Sequence, residues 1–316
     1  MGSSKKLNVG GQAVIEGVMI RGKNNYVASV RKNSRIISKT GTIKKKKYGF
    51  LNWHIIRGFV NLVEMLAIGI KTLMWSAEQA APKNEKIGKN ELALTLLISV
   101  AFVILLFVAL PYFLTSLIGI AEEKKPFLFN IVDGMIRIAF FLAYIILISF
   151  MKEVKTLFQY HGAEHKAIHC YEEDKKLNVA NVKKFSTLHP RCGTSFLLIV
   201  FIVSIFVFSL LPSIIRFYYP AFLSLNVWIR KGVLFPIRIL LIPAVAGISY
   251  EILKISGKHQ KNFLFKLISA PGLLLQKITT KEPNSKQMEV AVYSLKKLLK
   301  IEIKTKIYQK TQILDN

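Results

Sequence analysis

The sequence is short of acid and almost devoid of cysteine. Its 316 residues carry 18 Asp plus Glu against 45 Lys plus Arg, a formal charge of +27, and two cysteines, Cys170 and Cys192. Two cysteines cannot build the disulfide framework of a small secreted domain. Both also fall where the chain reads as cytoplasmic, a reducing compartment in which no structural bridge is expected. No internal repeat stands out, and the only low-complexity tract is Lys44–Lys45–Lys46–Lys47, which reads as a solvated or lipid-facing turn. No cleavable leader is evident, because the first apolar stretch is short and is broken by Glu16 and Arg21.

What the chain has in quantity is hydrocarbon. Hydrophobic residues make up 52% of it, and they occupy different stretches from the basic ones. Residues 92–121 and 192–215 contain no charge, and each exceeds the ~20 residues needed to cross ~30 Å of bilayer core. Residues 131–151, with Asp133 and Arg137, and 232–250, with Arg238, also read as spans, since an occasional charge is tolerated facing a bundle or near an end. Asp133 and Arg137 stand four apart, a spacing that lets them pair on one helix face. Residues 55–80 are nearly as apolar, but Arg57, Asn61, Glu64 and Lys71 interrupt them. They read as an interfacial or re-entrant helix with Trp53 and Trp75 at headgroup level, and a fifth span as the alternative.

Lys and Arg number 17 before residue 92, 8 in residues 152–195 and 13 after residue 252, so 38 of 45 would lie on one side of a four-span bundle. By the positive-inside rule that side is the cytoplasm, with both termini on it. The expected fold is therefore a mainly α membrane protein of the cell membrane. It has a β-rich cytoplasmic unit at 1–54, the interfacial helix at 55–91, and four membrane helices at 92–252. A cytoplasmic loop spans 152–195, and a basic helical tail 253–316. Anionic lipid headgroups account for the positive charge, and no nucleic-acid partner is needed. In the β-rich unit, Tyr26–Val30 and Arg35–Ser38 read as strands and Lys39–Thr40–Gly41 as the turn after them. In the tail, Phe263 to Gln276 reads as an amphipathic helix broken at Pro271–Gly272, and Gln287 to Leu299 as a closing helix.

Four of the six histidines and both cysteines lie between positions 161 and 192. His161, Glu164, His165, His169 and Glu172 recur at spacings of three and four, which on a helix make one stripe. His161–Gly–Ala–Glu164–His165 fits the inverted zinc-protease pattern H-x-x-E-H. His189–Pro190–Arg191–Cys192 follows just before an apolar run. Nitrogen and sulfur donors of this kind suit a divalent metal, Zn best. Candidate ligands are His161, His165, His169, His189 and Cys192, with Glu164 as general base. A surface helix whose histidines bond to one another or to lipid phosphate is the blander account. Ligation by His161, His165, His189 and Cys192 would close the site and make it structural; three ligands would leave room for chemistry. Glu16 could approach the site but reads better as a strand-edge carboxylate, and His54 and His259 read as interfacial or solvent-facing.

At these residues the chain resembles the DUF1385 family of bacterial membrane proteins. The blocks that carry the likeness are Gly10 to Met19, Tyr160 to Lys166 with His169, His189 to Phe196, and Pro271–Gly272 through Leu275–Gln276, Thr279–Thr280, Glu282–Pro283 and Gln287 to Ala291. The resemblance implies a metal-dependent membrane enzyme with no settled reaction. Lys281 stands where the family usually has Arg, which keeps the charge but would lose a bidentate contact. Two functions follow as expectations: a metal-dependent hydrolase acting near the bilayer, or a non-catalytic platform in which a structural metal organises a surface for anionic lipid or a cytoplasmic partner.

Overall fold

The computed structural model describes residues 6–43, 48–81, 88–120, 124–258 and 262–314; the lysine run 44–47 and His259 lie outside them. In chain order come β1 (Gly10–Val14), β2 (Gly17–Arg21), β3 (Asn25–Lys32), β4 (Arg35–Thr42), α1 (His54–Ala80), α2 (Lys89–Ile104) and α3 (Leu110–Leu117). There follow α4 (Pro126–Ser149), α5 (Lys152–Glu172), α6 (Val179–Val182), α7 (Gly193–Tyr218), α8 (Val227–Lys258), α9 (Phe263–Thr279) and α10 (Ser285–Leu314). A π-helical turn, Leu105–Ala109, joins α2 to α3, so the two act as one apolar rod.

The four strands form an antiparallel meander in the order β1-β2-β3-β4. Alternate residues of a strand face opposite sides, and here both sides are covered. Val18, Ile20 and Val27 pack with Tyr160, Ala163 and Ala167 of α5 and with Met288, Ala291 and Leu295 of α10. Val14, Met19, Tyr26 and Ala28 pack on the other side against Ile68 and Trp75 of α1. That double burial makes the first four residues of β2 and six of β3 inaccessible. The hairpin corners are Ile15–Glu16 and Asn33–Ser34, where Glu16 (φ 54°) and Asn33 (φ 55°) take the left-handed conformation. Lys39–Gly41, expected as a turn, lies inside β4 opposite Tyr26–Ala28, and the pairing to β3 carries the strand through it.

Five helices are long and apolar enough to cross a membrane: His54–Ala80, Ala93–Leu117, Pro126–Ser149, Gly193–Tyr218 and Trp228–Gly257. The hydropathy reading favours four of these. The first of the five, α1, is one unbroken helix. Its opening turns lie on the later part of α8: Arg57 forks onto Glu251 at 2.6 and 2.7 Å, Asn61 donates to the Tyr250 hydroxyl at 2.9 Å, and a Cβ on Gly58 would come within 2.8 Å of the Gly247 carbonyl oxygen. Its remaining turns lie on the sheet. Arg21 bonds Glu64 at 2.7 Å, and the Ser76 hydroxyl accepts from the Ile15 N–H at 3.1 Å. Asp133 and Arg137 of α4 pair as their spacing predicts, at 2.8 Å. The expected break at Pro271–Gly272 does not occur. Contacts on both sides hold α9 together through the proline: Ser269 bonds Ser256 of α8 at 2.7 Å, and Gly272 lies so close to Ser195 of α7 that any side chain would collide.

Candidate metal centre

The site is built on α5, whose spacing of four puts His161 and His165 on successive turns of one face. Their ring centroids are 4.4 Å apart. Cys192 is delivered from the opposite direction as the N-cap of α7, where its Sγ accepts from the Thr194 N–H at 3.4 Å and lies 3.1 Å from the Thr194 hydroxyl. The loop that carries it is clamped by Gln276 of α9. The Gln276 carbonyl oxygen accepts from the His189 N–H at 2.8 Å, and its amide donates to the His189 carbonyl at 3.0 Å and to Ser195 at 3.3 Å. Gly162 lets the α9–α10 linker pass against α5, where the Lys281 N–H donates to the Phe158 carbonyl at 2.9 Å. Lys281 thus meets the helix through its main chain, a contact indifferent to the Arg-to-Lys departure.

Among the described residues, His161, His165 and Cys192 form one donor group, each offering an atom within 4.8 Å of the others. The hydrogen bonds assign the tautomers. His161 Nδ1 lies 2.9 Å from the Thr279 carbonyl oxygen, and His165 Nδ1 lies 2.5 Å from that of Thr187. A carbonyl only accepts, so each Nδ1 carries the proton and each Nε2 keeps its lone pair. His161 Nε2 then faces Cys192 Sγ at 3.3 Å. Imidazoles oriented by a second-ring-nitrogen bond to a carbonyl are the usual arrangement behind a metal. Burial holds the His165 pKa below its ordinary value, partly offset by Cys192, which keeps the ring neutral as a ligand must be. The donor set therefore fits a borderline divalent cation of the zinc type.

Glu164 stands beside this group, 2% exposed, with a carboxylate oxygen 3.5 Å from His165 Nε2. Burial pushes its pKa up, against the pull of His161 and His189. Gly11 of β1 roofs it so closely that a Cβ there would sit 2.8 Å from the carboxylate. Two of the residues expected as ligands, His169 and His189, are not part of this donor group. His169 bonds the Leu188 carbonyl through Nε2 at 2.9 Å and stacks on Phe185, and burial brings its pKa down to about 4. His189 receives the Arg191 N–H on Nδ1 at 3.2 Å and turns Nε2 toward Glu172 at 3.3 Å; Arg191 also binds Glu172. Burial lowers the His189 pKa too. Glu16 lies away from the donor group, against the Tyr160 hydroxyl at 3.3 Å. The sequence reading missed Gly11 as a cover and Gln276 as a clamp. A glutamine in helical register with Ser269, Gly272 and Thr279, on the side of α9 away from most of its large apolar residues, was the available signal for the second.

The profile of the family described as "Protein of unknown function (DUF1385)" matches residues 53–301. The chain belongs to the DUF1385 family. It is also 35% identical to "Uncharacterized protein YqhQ" of Bacillus subtilis (strain 168), an alignment that covers 95% of both chains. No solved structure matches. The family profile begins after the sheet, whereas the alignment with the Bacillus protein takes in nearly the whole chain.

Proposed function

We propose that this chain is a multi-pass cell-membrane protein that holds one divalent cation, of the zinc type, at His161, His165 and Cys192 on the cytoplasmic face, and uses it for hydrolysis close to the bilayer. The observation that carries the reading is the pair of Nδ1-to-carbonyl bonds, which leave two Nε2 lone pairs and a thiol sulfur converging beside a buried carboxyl. A cation held there would supply Lewis-acid activation of water near neutral pH. Glu164 is the proton-carrying group. Burial raises its proton affinity, so as a carboxylate it can take a proton near His165 Nε2 and, once protonated, give it to a leaving group, as a general base and acid must. Thr279 and Thr187 hold the two imidazoles in register, and Gln276 holds the loop. The substrate is a peptide or lipid headgroup presented at the membrane surface.

A count of crossings supports one membrane topology. The sheet, α5 and α10 share one core, so all three lie on one side of any bilayer. Three candidate spans, α1, α2–α3 and α4, separate the sheet from α5, and an odd number of crossings would put them on opposite sides. One of the three therefore does not cross. The segment that fits is α1, since its later turns lie on the sheet and it carries Arg57, Glu64 and Lys71. The crossings are then α2–α3, α4, α7 and α8, which put 38 of 45 basic residues on the side of the sheet, the cytoplasm. Those segments face the anionic leaflet.

A second reading has one observation in its favour. His165 and Glu164 are each 2% exposed and Cys192 7%, a degree of closure suited to a structural metal. The cation would then staple α5 to α7 and support a surface for anionic lipid or a cytoplasmic protein. Elemental analysis of the purified protein comes first. About one Zn per chain is expected in the wild type and none in His161→Ala or His165→Ala; normal metal in both variants removes the site. Glu164→Gln then divides the readings. Retained metal with lost hydrolysis of peptide or headgroup substrates supports catalysis, and unchanged behaviour throughout leaves the structural reading.

A further inference from the structure

A second site lies among the apolar helices, away from the metal centre. A cavity of about 180 Å³ is bounded by α3, α4, α7 and α8, with Val200, Phe201 and Val245 among its apolar walls. Among the described residues its lining includes two guanidinium groups, Arg137 and Arg238, and no carboxyl group. Each is held by a neighbour. Arg137 spends Nε and Nη2 on Asp133, at 2.8 and 3.3 Å, and Asp133 itself is not in the lining. Arg238, 6% exposed, donates to the Asn130 carbonyl oxygen at 3.0 Å and lies over the rings of Tyr112 and Phe208 at 5.5 and 5.2 Å. The Asn130 amide donates in turn to the Pro126 carbonyl at 2.7 Å, which fixes its oxygen toward Arg238.

Cations in hydrocarbon are costly and are kept where they serve a pathway or a ligand. A cavity whose charged wall groups are all guanidinium is complementary to an anion, and guanidinium suits phosphate or carboxylate. The shape argues for an anion that carries a chain. The cavity is partly open, and its α8 wall includes Ile239 and Ile242, each 51% exposed, and Phe235, 39% exposed. In a bilayer that opening faces acyl chains rather than water. We infer that the cavity between α3, α4, α7 and α8 binds one anionic phospholipid from the bilayer, its phosphate toward Arg137 and Arg238 and its chain leaving past Ile239 and Ile242. The inference rests on the membrane reading and is independent of the metal.

The test uses full-length, metal-replete protein in mild detergent, titrated calorimetrically with short-chain phosphatidylglycerol, short-chain phosphatidylcholine and inorganic phosphate. Phosphatidylglycerol is expected to bind once per chain, at least about tenfold tighter than phosphatidylcholine, whose choline cation the two guanidinium groups repel. Inorganic phosphate is expected not to compete. Arg238→Gln should lose that preference. Val200→Trp, which fills the cavity and keeps both arginines, should abolish binding with folding checked by circular dichroism. Equal affinity for the two lipids overturns the inference, as does phosphatidylglycerol binding untouched by both variants. Competition by phosphate overturns it in favour of an aqueous anion. The wild-type comparison decides even where a variant fails to fold. Failure of the membrane reading would show separately, as wild-type protein recovered in the soluble fraction without detergent.

Discussion

Cys192→Ser separates the two roles that one side chain holds. Cys192 is the N-cap of α7, in extended conformation (φ −68°, ψ 139°), and its sulfur also faces His161 Nε2 at 3.3 Å. Serine is a preferred N-cap and keeps the bond to the Thr194 N–H, so the metal-free protein should hold its stability to within ~1 kcal/mol. The metal site should not survive as well. If about 12 kcal/mol of zinc-binding free energy is shared among the three protein donors and one water, each is worth ~3 kcal/mol, or roughly 100-fold in affinity. Linkage turns the same 100-fold into ~2.7 kcal/mol less stabilisation by metal at a fixed free concentration well above both dissociation constants. Competition against a chromophoric chelator reads the affinity, and thermal unfolding with and without excess chelator reads the stability. The holo-to-apo gap in Tm should shrink while the apo Tm stays put. Unchanged affinity in a folded Cys192→Ser protein would remove the sulfur from the site, and an equal fall of both Tm values would make it a packing residue only.

Glu78 is exposed near the end of α1, and a cysteine there should be labelled by a membrane-impermeant thiol reagent only after the cells are opened; labelling from outside would mean that α1 crosses. His169 makes the metal-free protein sensitive to acid. Its pKa is depressed to about 4 in the fold against an ordinary 6.5, so its contribution is fully present above pH 6.5 and is lost as pH falls through about 4. Urea unfolding should show a slope in that window that His169→Gln flattens, and an unchanged slope would refute the assignment. Gly11→Ala should cost about 1–3 kcal/mol, because its Cβ would collide with the Met19 carbonyl oxygen and lie 2.8 Å from Glu164, while Gly10→Ala, with open space around it, should be tolerated. Equal stability of the two variants by chemical denaturation would show that β1 does not press on Glu164.

The parts of this fold that the sequence makes legible are those set by local pattern. The uncharged runs of α2–α3 and α7 announce themselves by length alone, and Asp133 with Arg137 by spacing. The three-and-four recurrence of His161, Glu164 and His165 predicts one helix face, and α5 has it. The errors come where tertiary contacts outweigh a local rule. Pro271 should interrupt a helix by removing an N–H, yet packing at Ser269 and Gly272 carries α9 through it. Glycine at position 41 suggests a turn, but ladder pairing to Tyr26 extends β4 beyond it. Spacing also could not divide the histidine stripe. His169 is as well placed as His165 along the helix, and what distinguishes them is a carbonyl: Leu188 takes Nε2 of one, Thr187 takes Nδ1 of the other. Those carbonyls belong to a loop whose path no periodicity encodes.

The same loop explains why the centre lies between two parts of the fold. His161 and His165 belong to the helix that closes the sheet core with α10, whereas Cys192 opens α7, one of the long apolar helices. Two routes already join them: α1, which bonds both the sheet and α8, and α9 with its linker, through Thr279 to His161, Gln276 to His189 and Lys281 to Phe158. A cation shared by α5 and α7 would add a further connection, and its removal should loosen the sheet-bearing body from the apolar helices more than it loosens either body internally. Hydrogen exchange at the α5 and α7 ends, compared with exchange in β2 and β3, separates that outcome from a general loss of stability. Protection lost equally in β2 and β3 would place the metal's contribution inside the sheet core, against the position of Cys192 at the start of α7.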